Sequence, residues 1–281
     1  MKVVLPAAGL GTRLLPVTKE LPKEMLPVFV RDSEGRLSPK PVLQAVFEQL
    51  SKAGFTQFCF VVGREKRAIE DHFTPDSRYL KRLALKNAKG ELRDLRRFYD
   101  RITNSEIVWI NQPEPKGFGD AVLRAEPFVG NDPFLCHAGD TYIISKNNRH
   151  LAALLKLYEE EKCDAAFIIQ RVKNPKGYGI VEGERVGKGI YEVRRVEEKP
   201  KKARSDMAIM PLYVFQPIIF RALRRIGRGY GREVQLTDAI QRLIDWKSRV
   251  YACLLQPHDV RLDIGTPETW WKALTLSHHR S

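Results

Sequence analysis

Two hydrophobic periodicities alternate along the chain. Apolar runs of strand length occupy residues 3–7, 57–62, 107–111, 134–138, 165–171 and 250–256. Between the first two, Val42, Leu43, Val46, Phe47, Leu50 and Ala53 recur at helical spacing and form one apolar face. Ser38 is placed to cap that helix, Pro39 to open its first turn and Gly54 to stop it. Leu151, Leu154, Leu155 and Leu157 repeat the pattern within residues 147–164, and a last helical pattern covers 266–279. Strands alternating with helices predict an α/β fold, a Rossmann-like, mostly parallel (mixed) sheet flanked by helices on both faces.

After residue 170 the rhythm changes. Residues 179–184 and 190–198 read as a hairpin around Gly187 and Gly189, with a further strand at 207–215. A small antiparallel insert on the parallel sheet is therefore expected. Residues 29–38 read as a surface hairpin turning at 32–35, and 78–101 as a helical stretch crowded with Lys and Arg. Without internal repeats, the whole chain, 1–281, is expected to be a single domain, with no room after the last helix for an appended unit such as a C-terminal β-helix.

Composition narrows the class. The 281 residues carry 48 Lys+Arg against 34 Asp+Glu, a net charge of +14, and 43% are hydrophobic. That supports a sizeable core and excludes extended disorder. The surplus admits nucleic acid, an anionic membrane surface or small polyanions as partners. Because stacking aromatics are not interleaved with the charges of 78–101, that stretch reads as a solvated face or a lid over an anionic pocket, not a nucleic-acid surface. The four cysteines have neither metal-binding nor disulfide spacing, and Cys59, Cys136 and Cys253 sit in apolar runs. With no targeting segment and no apolar run of ~20 residues, a soluble, cytoplasmic protein that does not enter a membrane is expected.

The most informative string is VVLPAAGLGTRLLPVTKELPKEMLPV, residues 3–28. A buried strand runs directly into Ala8-Gly9-Leu10-Gly11-Thr12-Arg13, where glycines let the backbone approach a ligand and aim N–H groups at phosphate oxygens. A dinucleotide-binding loop would need a third glycine where Leu14 stands, and an acid where Gly63 and Arg64 follow the second strand. Instead Arg13 follows the glycines and Lys23 supplies a second cation, which suits a triphosphate whose pyrophosphate end must leave. Pro16, Pro22 and Pro27 stiffen the loop.

This string resembles the signature of the sugar-1-phosphate nucleotidyltransferase family, and within it the prokaryotic-type UTP:glucose-1-phosphate uridylyltransferases. The resemblance extends over almost the whole chain. It implies that Ala8, Gly9, Gly11 and Thr12 bind the nucleotide, with Arg13 and Lys23 catalytic. Gln112 and Gly117, after a strand, match residues that hold the base. A glutamine amide offers both a donor and an acceptor to a pyrimidine edge. The uridylyltransferases usually carry histidine where this chain has Asp120.

Asp140, in His137-Ala-Gly-Asp-Thr, and Asp263, in Leu262-Asp-Ile-Gly-Thr, stand at strand ends where open α/β sheets bind ligands. The resemblance implies that they share Mg2+. Glu198 and Lys199, in Glu-Lys-Pro, match the family's acid for sugar hydroxyls and lysine for the sugar phosphate; Gly179 matches the glycine behind the sugar. Thr237 reads as a helix cap and Glu233 as a lining residue of the sugar pocket. Pro211 stands where the family commonly has glycine.

The implied activity is UTP + glucose-1-phosphate to UDP-glucose + pyrophosphate. Residues up to about 140 would serve the nucleotide and 141–281 the sugar, in a homo-oligomer (dimer or tetramer) that binds no nucleic acid. A dTTP-dependent thymidylyltransferase is the alternative, because Gln112 cannot separate uracil from thymine. A non-catalytic sugar-nucleotide-binding regulatory protein would be expected to have lost a cation or carboxylate, and Arg13, Lys23, Asp140, Lys199 and Asp263 are all present.

Overall fold

The computed structural model describes residues 1–280 apart from Ser33. The chain opens with β1 (Lys2–Pro6), the hairpin β2 (Pro27–Arg31) and β3 (Leu37–Pro41), and helix α1 (Val42–Lys52). Next come β4 (Gln57–Val62), α2 (Arg67–His72), α3 (Ser77–Leu85), α4 (Lys89–Thr103), β5 (Glu106–Asn111), α5 (Phe118–Arg124) and α6 (Glu126–Val129). The middle holds β6 (Phe134–His137), β7 (Thr141–Ile144), α7 (Arg149–Glu161), β8 (Ala165–Arg171), β9 (Gly179–Gly187), β10 (Ile190–Glu198) and β11 (Met207–Phe215). Last are α8 (Ile218–Leu223), α9 (Leu236–Asp245), β12 (Val250–Leu254), β13 (Val260–Asp263) and α10 (Pro267–Arg280).

Among the described residues, nine strands form one mixed sheet in the order β5-β4-β1-β6-β11-β8-β12-β10-β9. The first four are parallel. β11 runs antiparallel between β6 and β8, and β12 is parallel to β8. The hairpin β9–β10 continues this sheet, antiparallel, beyond β12.

Alternation along each strand feeds two cores. Val3, Leu5, Phe58 and Phe60 meet Leu43, Val46, Phe47 and Leu50 of α1 and Leu151, Leu154 and Leu157 of α7 on one face. Val4, Cys59, Val61 and Cys136 meet α5, α8 and α9 on the other. The predicted α/β sandwich follows from this period of two against a period of 3.6.

Three local expectations are corrected. Helix α1 starts at Val42, not at 38–39, because residues 37–41 pair with β2, Pro39 opposite Phe29. Ala53 is exposed at the helix end, whereas Gln44, Glu48 and Gln49 are buried. A third core explains the latter: Leu26, Val28, Leu262, Ile264 and Ala273 cover the other side of α1 at Val42 and Ala45. The buried polar groups are satisfied there, with Lys40 donating to Glu48 at 2.8 Å and the Gln49 amide to the Ile143 carbonyl at 2.9 Å. The basic stretch 78–101 is two helices, broken where Asn87 takes a positive φ of 53°. All four cysteines are buried and free. No described helix is long and apolar enough to cross a membrane.

Candidate active site

The loop between β1 and β2 winds through three short 3-10 turns, Thr12–Leu14, Val17–Lys19 and Lys23–Met25. Leu14 and Leu26 anchor it in the third core, while Thr12 and Arg13 stay exposed. Gly11 has φ +67°, and the Thr18 hydroxyl donates to its carbonyl at 2.8 Å. A side chain at Gly9 would begin 3.8 Å from Lys23 Nζ, so the two ends of the loop face each other.

β7 and β13 form a two-stranded ladder in which Thr141 pairs with Asp263, and the Ile264 N–H donates to the Asp140 carbonyl at 3.0 Å. That ladder sets Asp140 beside Asp263. The Lys23 ammonium donates to Asp140, and a side chain at Gly265 would start 3.4 Å from the Arg13 guanidinium. All four charged residues therefore gather at one place beyond the carboxyl ends of β1 and β6.

Their charges are interlocked. Burial works against the Lys23 charge, but Asp140, Glu24 and Asp263 outweigh it and raise its pKa above the ordinary lysine value. Burial also pushes Asp140 up, but the charge and hydrogen bond of Lys23 bring it below the usual carboxylate value. Asp263 is held above that value, first by burial and then by Asp140, despite Arg261, Lys23 and Arg13. Two adjacent half-buried carboxylates, one short of compensating charge, fit Mg2+, which takes one or two carboxylates and completes its shell with phosphate oxygens and water. Among the described residues no cluster of three or more His, Cys, Asp or Glu could hold a metal.

Beside this cluster, a cavity of about 190 Å³ opens against Ala8, Leu10, Pro22, Gly63, Lys66 and Gln112. Gln112 is buried, and its amide nitrogen donates to the Gly117 carbonyl at 3.1 Å and to Asp120 at 2.7 Å. The expectation that Gln112 offers both a donor and an acceptor is corrected: both amide hydrogens are already used. Gly117 has φ +112°, and a Cβ there would lie 2.7 Å from the Val234 carbonyl oxygen. The 112–117 loop thus packs directly on the segment leading into α9.

Across the site, Glu198 ends β10 opposite Gly179 at the start of β9. The Thr237 hydroxyl donates to Glu198 at 2.7 Å, so Thr237 holds the acid; α9 begins at Leu236 with no side-chain cap. A Cβ on Gly179 would come within 2.9 Å of Thr237 Oγ1 and 3.1 Å of Glu198 Oε2. The Lys199 ammonium lies 4.8 Å above the Tyr230 ring and 3.4 Å from Glu198. Glu233 accepts from the Gln235 amide at 3.3 Å. Pro211 sits at a bulge of β11, and its carbonyl accepts from the Ala138 N–H at 2.9 Å, bracing the turn that carries Asp140.

Two residues that sequence reasoning passed over complete the site. Arg261 spans its halves: it lies 3.8 Å from Asp263, donates to the Tyr178 hydroxyl at 3.0 Å and stacks on that ring. It belongs to β13, a strand whose short apolar content gave no periodic signal. Lys66 lines the cavity and pairs with Glu24 at 2.9 Å, both buried. The acid within Pro-Lys-Glu-Met-Leu-Pro was the available hint that a buried cation faces it. His137 is interior as expected, its Nδ1 2.8 Å from the Ala138 carbonyl, and burial pushes its pKa down to about 4.

The nucleotidyl transferase family model matches residues 2–279. The UTP–glucose-1-phosphate uridylyltransferase of Staphylococcus epidermidis is 38% identical over 268 residues, 94% of this chain and 87% of that one. The Bacillus subtilis protein of the same name is 36% identical over 278 residues, 98% of this chain and 88% of that one. A UDP-glucose pyrophosphorylase crystallised with UDP-glucose superposes with a TM-score of 0.85 at 30% identity, covering 100% of this chain and 99% of its own. The UTP-bound enzyme of Acinetobacter baumannii gives 0.83 at 28% identity, covering 99% and 92%. Matched over nearly its whole length in sequence and in fold, the chain belongs to the nucleotidyl transferase family.

Proposed function

We propose that the protein is a UTP:glucose-1-phosphate uridylyltransferase, forming UDP-glucose and pyrophosphate. The observation that carries this reading is the convergence of Arg13, Lys23, Asp140 and Asp263 at one strand edge, joined through Arg261 and Tyr178 to Lys199 and Glu198. Polyphosphate chemistry and sugar recognition then share a boundary where a sugar phosphate meets an α-phosphorus.

The nucleotide lies over Ala8, Gly9, Gly11 and Thr12 with its base in the cavity at Gln112 and Gly117. The sugar rests on Gly179 and Glu198. The second pKa of a phosphate monoester is near 6, so the attacking oxygen is already largely deprotonated at pH 7 and needs no protein base. Catalysis is positioning and charge neutralisation. Lys199 orients the sugar phosphate, whose oxygen attacks the α-phosphorus in line. As that P–O bond forms, the bond to the β-phosphate oxygen breaks, and Arg13 and Lys23 stabilise the departing pyrophosphate. Asp140 and Asp263 would hold Mg2+, which supplies further neutralisation of phosphate charge when bound. His137, neutral and interior, takes no part.

The same reading divides the domain into a nucleotide part, about 1–140, and a sugar part, 141–281. It also places the enzyme in the cytoplasm, where four free thiols remain reduced, as a homo-oligomer that binds no nucleic acid. A matrix of UTP, dTTP and other triphosphates against sugar-1-phosphates, scored by Mg2+-dependent pyrophosphate release, tests it. Fastest turnover with UTP and glucose-1-phosphate is expected. Preference for dTTP would assign a thymidylyltransferase instead, and no release from any pair would overturn both.

A further inference from the structure

A primary amide can present either its oxygen or its nitrogen to a ligand, and which one it presents is decided by what holds its other end. The Gln112 amide is held on one side by two groups that can only accept, the Gly117 carbonyl and the Asp120 carboxylate. Turning it over would exchange two hydrogen bonds for two oxygen–oxygen contacts in a buried place, where lost hydrogen bonds cost most. Asp120 is itself fixed. It is buried at the start of α5, where the Gly119 N–H donates to the Val234 carbonyl at 2.9 Å, and Arg124 one turn on lies 3.6 Å from its carboxylate. A histidine at this position could donate or accept according to its tautomer, whereas an aspartate facing an amide accepts.

We infer that Asp120 is a positioning residue that commits Gln112 to present its carbonyl oxygen to the base, so that the site takes pyrimidines carrying an N–H on their ring edge and rejects those carrying a lone pair there. Uracil and thymine carry that N–H; cytosine presents a bare ring nitrogen, and the two acceptors would face each other. The inference rests on the proposed nucleotidyl transfer and names the groups that read the base.

The test compares UTP, dTTP and CTP with glucose-1-phosphate in the wild-type protein and in Asp120→Asn. An asparagine can donate as well as accept, which frees the Gln112 amide to turn. In the wild type, kcat/KM for CTP is expected to be at least ~100-fold below that for UTP, with dTTP accepted. In Asp120→Asn the UTP/CTP ratio is expected to fall at least ~10-fold, chiefly through a higher KM for UTP, because Asp120 acts on binding of the base and not on the reacting phosphorus. Asp120→Glu, which restores the carboxylate, should recover most of the ratio. A folded Asp120→Asn protein that loses activity equally with both nucleotides overturns the inference, since that is what a purely structural role would do.

Should the variant not fold, hydrogen exchange of the Gln112 side-chain amide, followed by 15N NMR in the wild-type protein, decides. Slow exchange of both protons supports the inference, and free exchange of either overturns it. If the wild-type protein releases no pyrophosphate from UTP, the proposed function fails, while the exchange measurement still judges the hold of Asp120 on Gln112.

Discussion

Lys23, in the loop that leaves the first strand, places its ammonium on the carboxylate of Asp140, which follows β6. The contact links the cation proposed for phosphate to an acid that fits a metal, and each keeps the other charged. On the proposed mechanism, a triphosphate entering the site would compete for Lys23 and leave Asp140 free for a cation. Replacing Lys23 with alanine removes a preorganised charge from the departing pyrophosphate and leaves two acids side by side. Such losses cost about 10²- to 10³-fold in kcat. Steady-state pyrophosphate release at saturating substrates checks this; a variant within threefold of the wild type would remove Lys23 from the chemistry.

The Lys66–Glu24 pair lies under the same loop, and both residues are buried. Burial pushes the Glu24 carboxyl up, with Lys66 and Lys23 pulling it back. Removing one partner of a buried pair strands the other, a cost of about 3–5 kcal/mol. Urea unfolding of Lys66→Ala should show a loss of that size. The double variant Lys66→Met/Glu24→Gln should recover part of it, because no unpaired charge remains.

Gly179 packs against two polar side chains of the site. A methyl group there would meet both Thr237 and Glu198. Their hydrogen bond holds the acid proposed to receive the sugar, so Gly179→Ala is expected to raise KM for glucose-1-phosphate about tenfold or more while KM for UTP changes little. Varying each substrate in turn separates the two. An equal rise in both KM values would mean that the substitution disturbs the sheet and not the sugar floor.

The main strands and helices were legible because each repeats one period long enough to be read, as in 57–62 and 147–164. The start of α1 was not. Ser38-Pro39 is a sound local opening for a helix, but the ladder with Phe29 and Val30 claims those residues first. Thr237 was misplaced for a related reason: its hydroxyl is used by Glu198, 39 residues away, and not by its own helix. Individual site residues were visible as charges out of place in a loop. What joins them was not, because β7 and β13 are four residues each and Arg261 acquires its role only from their pairing. Short ladders between distant segments leave no periodic trace.

The interior histidines set a pH dependence of stability that is separate from activity. Burial lowers the pKa of His137 and of His150 to about 4 each, from an ordinary value of 6.5. Between those two values the unfolded chain takes up a proton that the folded one refuses, so stability falls as pH drops from 6.5 toward 4. Above about pH 7 both states are neutral at these sites and the contribution is flat. Each histidine can account for at most about 3 kcal/mol over that window. Asparagine at 137 retains a donor for the Ala138 carbonyl and lacks a titrating group, so His137→Asn should unfold in urea with a visibly shallower dependence on pH. His150 and His72, whose pKa values burial also lowers, contribute to the slope that remains, and a profile as steep as the wild type's would show that His137 is protonated as readily in the folded protein as in the unfolded one.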